Sequence, residues 1–122
     1  MAVSYTQRTL KALRDRNALY HKVESYNQFS KRRVDLFNCI DIIAIYPEER
    51  AIIGVQSTGP NGFSSHLKKI KLIPEALAWI EAGGILELWS WRQLLVKKGG
   101  KAKRWEPRIY RLTKKDFDDE RT

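Results

Sequence analysis

Three rhythms of apolar and polar positions follow one another along this 122-residue chain, and the changes of rhythm divide it into elements. Thr6, Leu10 and Leu13 fall at helical spacing, so residues 5–16 read as an amphipathic helix. Ser4 with Gln7 three residues later is a capping-box pattern at its start. Asn17, which tolerates left-handed backbone, suits its end. Residues 18–26 then alternate in part, with Leu19, His21 and Val23 set against Tyr20, Lys22 and Glu24, and predict a strand. Residues 27–33 are polar and predict a loop. Two nearly continuous apolar runs follow, residues 34–46 and 51–58, joined by Pro47-Glu48-Glu49-Arg50. A short polar turn between such runs predicts an antiparallel hairpin, and their apolarity predicts a sheet covered on both faces.

Gly59-Pro60-Asn61-Gly62 breaks the pattern. Ser64 or Ser65 then suits the N-cap of a helix containing Leu67 and Ile70. Pro74 opens a second helix, PEALAWIEA, that Gly83-Gly84 ends. Alternation returns over residues 85–91, with Ile85, Glu87, Trp89 and Trp91 on one face and Leu86, Leu88 and Ser90 on the other. Residues 97–103 form a basic turn. Residues 104–112 form a last strand, at an edge because Pro107 cannot donate to a ladder. The order α-β-β-β-α-α-β-β predicts an α/β fold, a sheet with helices on both faces. It forms one domain over residues 1–113, with a charged, frayed tail over residues 114–122.

Within the first central strand, Asp41 stands among Ile40, Ile42, Ile43 and Ile45. Burying a lone carboxylate without a partner is costly, so a chain that keeps one there uses it. Brought beside Gln56 of the next strand, it could hold a divalent cation. The other reading of Asp41 is a buried carboxylate that caps the chain or pairs with Arg32 or Arg33. Asp35 reads as a strand cap or a supporting acid.

Charge narrows the partner. The net charge is +9, and residues 92–115 hold ten Lys/Arg against the single acid Glu106, enough to account for the whole excess. A basic stretch of this density favours a polyanion, nucleic acid first. Cys39 is the only cysteine and lies in an apolar run, which predicts a buried free thiol, no disulfide and a reducing, cytoplasmic setting. Neither a membrane span nor a signal peptide is legible. One cysteine and two histidines, His21 and His66, are too few for a zinc site. Trp105, beside Arg104, is the tryptophan best placed to stack on a base.

The ordered set Asp35-Leu36-Phe37, Ile40-Asp41-Ile42, Gln56-Ser57-Thr58, Lys68-Lys69-Ile70, Glu81-Ala82-Gly83-Gly84 and Trp89-Ser90-Trp91 resembles small phage and bacterial members of the PD-(D/E)xK, or restriction-endonuclease-like, nuclease superfamily. The resemblance implies a central mixed sheet and Mg²⁺- or Mn²⁺-dependent endonuclease activity on DNA, Holliday-junction-resolvase-like and in a homodimer. It also implies a metal set of Asp41 and Gln56, with Glu24 as the extra first-strand acid. The family's triplet lysine is Thr58 here. Its replacement is expected on the following helix, where Lys69 is favoured over Lys68 and Lys71 and completes the catalytic group Asp41, Gln56, Lys69 and Glu24. DNA contacts are expected from Lys31, Arg32, Arg33, His66, Lys68, Lys97, Lys98, Lys101, Lys103 and Arg104. The competing expectation is a catalytically inactive module of the same fold that binds DNA or a protein partner.

Overall fold

A computed structural model describes residues 3–118. Helix α1 (Tyr5–Asp15) begins at the expected capping box, with Ser4 and Gln7 satisfying each other's backbone N–H groups at 3.1 Å in both directions. It ends where Asn17 turns left-handed at φ 60°. Its buried face is centred on Thr9 and Leu13, so the stripe is rotated from the expected Thr6–Leu10–Leu13 line. Thr9 can be buried because its hydroxyl is saturated. It donates to the Tyr5 carbonyl (2.9 Å), lies 2.8 Å from Ser57 Oγ and accepts from Trp91 Nε1 at 2.8 Å.

Strand β1 (Leu19–Lys22) is followed by the short strands β2 (Ser25–Asn27) and β3 (Arg32–Val34). The single strand expected over residues 18–26 is thus split. Val23 N and Glu24 N both donate to the Asp41 carbonyl, and the chain leaves the main sheet there to form a separate β2–β3 hairpin. The loop expected over residues 27–33 is the tip of this hairpin. Asn27 Oδ1 accepts from Phe29 N and Ser30 N, a side-chain-closed turn.

The strand expected over residues 34–46 is reduced to β4 (Ile42–Tyr46). Before it, Phe37 and Asn38 take left-handed backbone (φ 53° and 63°), and Leu36 and Ile40 close a tight turn. Strand β5 (Ala51–Thr58) keeps its expected bounds and pairs antiparallel with β4. Helices α2 (Phe63–Lys71) and α3 (Pro74–Glu81) carry the chain to β6 (Ile85–Leu95), which lies parallel to β5. The cap of α2 is Gly62 rather than Ser64 or Ser65. Strand β7 (Lys103–Leu112) is the expected edge, and the five-stranded mixed sheet runs β1-β4-β5-β6-β7. Residues 114–118, expected as frayed tail, form the short helix α4 (Lys114–Asp118), anchored by a buried Phe117. Residues 119–122 of that expected tail lie outside the described residues.

The sheet is covered on both faces. On one, α1 packs Leu13 against Ile42, Ala44, Ile53, Val55, Trp89 and Trp91. On the other, α2, α3 and α4 bring Ile70, Ala76 and Phe117 onto Ile40, Leu86 and Leu88. Trp105 belongs to the first core: its ring meets Tyr5 edge-on at 5.9 Å and carries the Arg8 guanidinium 4.2 Å above it. The Arg8 guanidinium thus lies over the ring expected to stack on a base. Glu87, also buried, is held by Trp89 Nε1 at 3.0 Å and by Arg111 at 2.8 Å. The buried Cys39 thiol has its pKa pushed up to about 12 by burial first, which leaves it inert. No helix among the described residues is long and apolar enough to cross a membrane.

Candidate metal centre

Two antiparallel pairings meet at one point of the fold. Continuing the β4–β5 register one step past Ile42↔Val55 sets Asp41 opposite Gln56. Continuing the β2–β3 register one step past Ser25↔Val34 sets Glu24 opposite Asp35. The Val23 and Glu24 amides, both bonded to the Asp41 carbonyl, join the two pairs. The result is a cluster of Glu24, Asp35 and Asp41, with one carboxylate oxygen from each within 4.8 Å of the others.

Asp41 and Glu24 therefore meet as expected, and Gln56 sits beside them. Asp35, read from the sequence as a cap or supporting acid, is a full member of the cluster. A hairpin legible in Asn27 would have found it: an Asx turn between two short β-prone segments folds Asp35 back onto Glu24.

The local electrostatics are uneven. Asp41 is 4% exposed and its Oδ2 accepts from Ser57 N at 2.9 Å. Its pKa is raised from 3.8 to about 8, first by burial, then by the hydrogen bond with Asp35, with the charges of Asp35 and Glu24 adding to it. Glu24 is paired with Arg33 at 3.1 Å. Gln56 donates from Nε2 to Asp35 Oδ2 at 3.1 Å, which leaves Gln56 Oε1 buried with no hydrogen-bond partner. Three clustered carboxylates, with an amide side chain bonded to one of them whose own oxygen lacks a partner, offer hard oxygen donors of the kind that suits Mg²⁺ or Mn²⁺.

A cleft of about 270 Å³ adjoins the cluster, lined by Arg32, Arg33, Val34, Asp35, Asn38 and Lys69. Lys69 thus shares the cleft with Asp35, whereas Lys68, also exposed on α2, does not line it. Lys31 is exposed at the β2–β3 tip. Thr58, at the triplet-lysine position, lies 3.3 Å from His66 Nδ1, which also donates to the Gly62 carbonyl at 2.9 Å. A Cβ on Gly62 would stand 1.9 Å from Thr58 Oγ1, so glycine is required for this close approach. His66 is therefore committed to the turn between β5 and α2 and is only partly exposed.

Lys97, Lys98, Lys101, Lys103 and Arg104 lie exposed on the β6–β7 hairpin, apart from the cluster. Arg104 pairs with Glu106 at 2.6 Å.

No protein-family model matches the chain, and no curated protein matches it. Among solved structures it is similar to a Holliday junction resolvase from the archaeal hyperthermophile Archaeoglobus fulgidus, at 13% sequence identity and a TM-score of 0.45, over 93% of this chain and 89% of that one.

Proposed function

We propose that this chain is a divalent-cation-dependent DNA endonuclease in which Glu24, Asp35, Asp41 and Gln56 hold the ion. The observation that carries the proposal is the cluster of three carboxylates, with Gln56 bonded to Asp35 and its own oxygen left without a partner. Three acids this close repel one another, and one of them is nine-tenths buried. Arg33 offsets the charge of Glu24 alone, so a bound cation would relieve the rest of that repulsion and would also give the unpartnered amide oxygen a partner. When bound, Mg²⁺ or Mn²⁺ supplies a water of lowered pKa and neutralises charge on the scissile phosphate. Lys69, in the adjoining cleft, offers a point charge to the same phosphate in place of the lysine that Thr58 lacks. Arg32 and Arg33 line that cleft and bind neighbouring phosphates.

Thr58 also favours a second reading, a catalytically silent module that holds DNA. A cleavage assay with Mg²⁺ or Mn²⁺ on duplex, single-stranded, flap and four-way-junction DNA separates the two. Cation-dependent cutting supports the nuclease, and preference among the substrates gives its structural selectivity. Saturable binding without cutting by either ion supports the silent module.

Binding itself carries a further expected result. Phosphate contacts release counterions, so affinity falls steeply with salt. Neutralising Lys97, Lys98, Lys101 and Lys103 together lowers the slope of log affinity against log salt by about 3 to 4, at roughly 0.9 per phosphate contact. Fluorescence anisotropy over a salt series reads this directly. An unchanged slope moves the binding surface to Lys31, Arg32 and Arg33. Pairing of two copies belongs to the same proposal. The face around Leu19, Ile45 and Ile52, where Leu19 is 68% and Ile52 51% exposed, suits it. A monomeric mass by sedimentation at micromolar concentration would count against the pair.

A further inference from the structure

The β6–β7 ribbon outruns the sheet that supports it. Strand β6 pairs with β5 only as far as Thr58↔Ser90, yet its pairing with β7 runs on to Leu95↔Lys103, and Val96 N still bonds to Ala102 O at 3.0 Å. Residues 91–95 thus carry the ribbon about 17 Å past the end of β5, at about 3.3 Å per residue. Because β5 and β6 are parallel, the overhang leaves from the sheet end that bears Gln56 and Thr58, the end at which the acids cluster.

The overhang has an unusual surface. Arg92, Lys97, Lys98, Lys101, Lys103 and Arg104 are all exposed along it. By alternation Arg92 and Arg104 lie on the Gln56 side of the sheet. At its far end, among the lysines, Leu95 and Val96 are 48% and 53% exposed. The turn that follows is closed by Gly99 at φ 80°, a conformation that strains any other residue type. A ribbon needed only to finish a fold has no reason to present adjacent apolar side chains at a lysine-rich tip.

Resting on the DNA reading above, we infer that this ribbon is a duplex-grasping arm whose Leu95–Val96 tip seats against base edges in the major groove, while its arginines and lysines hold the phosphates on either side. Groove width decides which groove. Two strands about 4.8 Å apart with their side chains fill the roughly 12 Å major groove and exceed the roughly 6 Å minor groove. The apolar tip also has a partner there, since thymine presents its methyl group in the major groove. The lysines add affinity without sequence preference, and the tip adds contact with the bases.

The test measures binding of a 30-base-pair duplex by anisotropy in EDTA, so that no cutting intervenes. Leu95→Ser/Val96→Ser should weaken binding roughly tenfold, the scale of exposing a buried aliphatic side chain, with an unchanged salt slope and melting temperature. Distamycin, which fills the minor groove, should leave that difference intact. A second variant, with the ribbon shortened by joining Gln93 to Trp105 through Asn-Gly, removes only exposed or half-exposed residues and should lose both the tip contribution and the lysine part of the salt slope. Equal affinity of wild type and the serine variant overturns the inference. So does abolition of the difference by distamycin. Tip-dependent binding to phosphatidylserine vesicles with unchanged DNA affinity also overturns it and assigns the tip to a membrane surface. A wild type that binds duplex through its tip yet cuts nothing with Mg²⁺ or Mn²⁺ overturns only the nuclease reading. A wild type that cuts while its tip is silent overturns only this one.

Discussion

Asp41→Asn is expected to abolish cation-dependent stabilisation and to cut cleavage by roughly 10³-fold or more, the scale of several kcal/mol of lost transition-state stabilisation. Without cation, the same variant melts no lower than the wild type. The substitution keeps the shape and leaves an oxygen for the Ser57 amide, while it removes both the anionic ligand and the burden of ionising a buried carboxyl. The sign of the pH effect follows from the shift. The folded-state pKa is raised from 3.8 to about 8, so between these values the folded protein holds a proton that the unfolded chain has lost. Wild-type stability therefore falls as pH rises through that window, and the advantage of Asp41→Asn without cation grows from pH 4 to pH 8. Cation affinity of the wild type rises over the same window, because the ion must displace that proton. Calorimetric melts at pH 5 and pH 8, with and without Mg²⁺, check all three statements. Should the variant unfold while Mg²⁺ leaves the wild type's melting unchanged, Asp41 is a structural acid.

Lys69→Ala is expected to lower cleavage by roughly 10²-fold, the scale of removing one electrostatic stabiliser of a developing charge, with DNA affinity little changed. Lys68→Ala is nearly silent, because Lys68 points about a hundred degrees away around α2. The difference rests on position: Lys69 lines the cleft that Asp35 closes, and Lys68 does not. Neither side chain is buried, so neither alanine should disturb folding. Single-turnover rates with matched binding curves measure the pair. Equal, small losses would reduce both lysines to general phosphate contacts.

The parts of the fold readable from the sequence were those punctuated locally. Pro74 and Gly83 bracket α3, Ser4 and Gln7 start α1, and the polar turn over residues 47–50 fixes both the hairpin and the bounds of β5. What escaped depends on distant partners. Residues 34–40 look like strand because they are largely apolar, but the left-handed Phe37 and Asn38 fold them into the turn that brings Asp41 back beside Asp35. The α2 cap is Gly62 rather than Ser64 or Ser65, at a position where Thr58, four residues earlier, leaves room for hydrogen only. Phe117 reads as an isolated aromatic in a charged tail, and only the α2–α3–α4 face shows what covers it. Within the metal centre, Asp41 stood out because an acid in an isoleucine run is conspicuous. Asp35 did not, since an acid at the border of a polar segment is ordinary. The buried Glu87 was also missed: alternation put it on the tryptophan face, and its partner Arg111 is supplied by the neighbouring strand.

Thr9 ties the root of the ribbon to the acids. Trp91, the first residue beyond the supported sheet, donates to Thr9; Thr9 contacts Ser57; and the Ser57 amide holds Asp41. Residues 94–104 contribute no fully buried side chain. The molecule is thereby divided into a fixed chassis and an exchangeable attachment. On the duplex-arm inference, lengthening, recharging or swapping residues 94–104 would alter what the protein grips and leave the acid geometry alone. Descendants of this chain, natural or engineered, would then be retargeted by rewriting one hairpin.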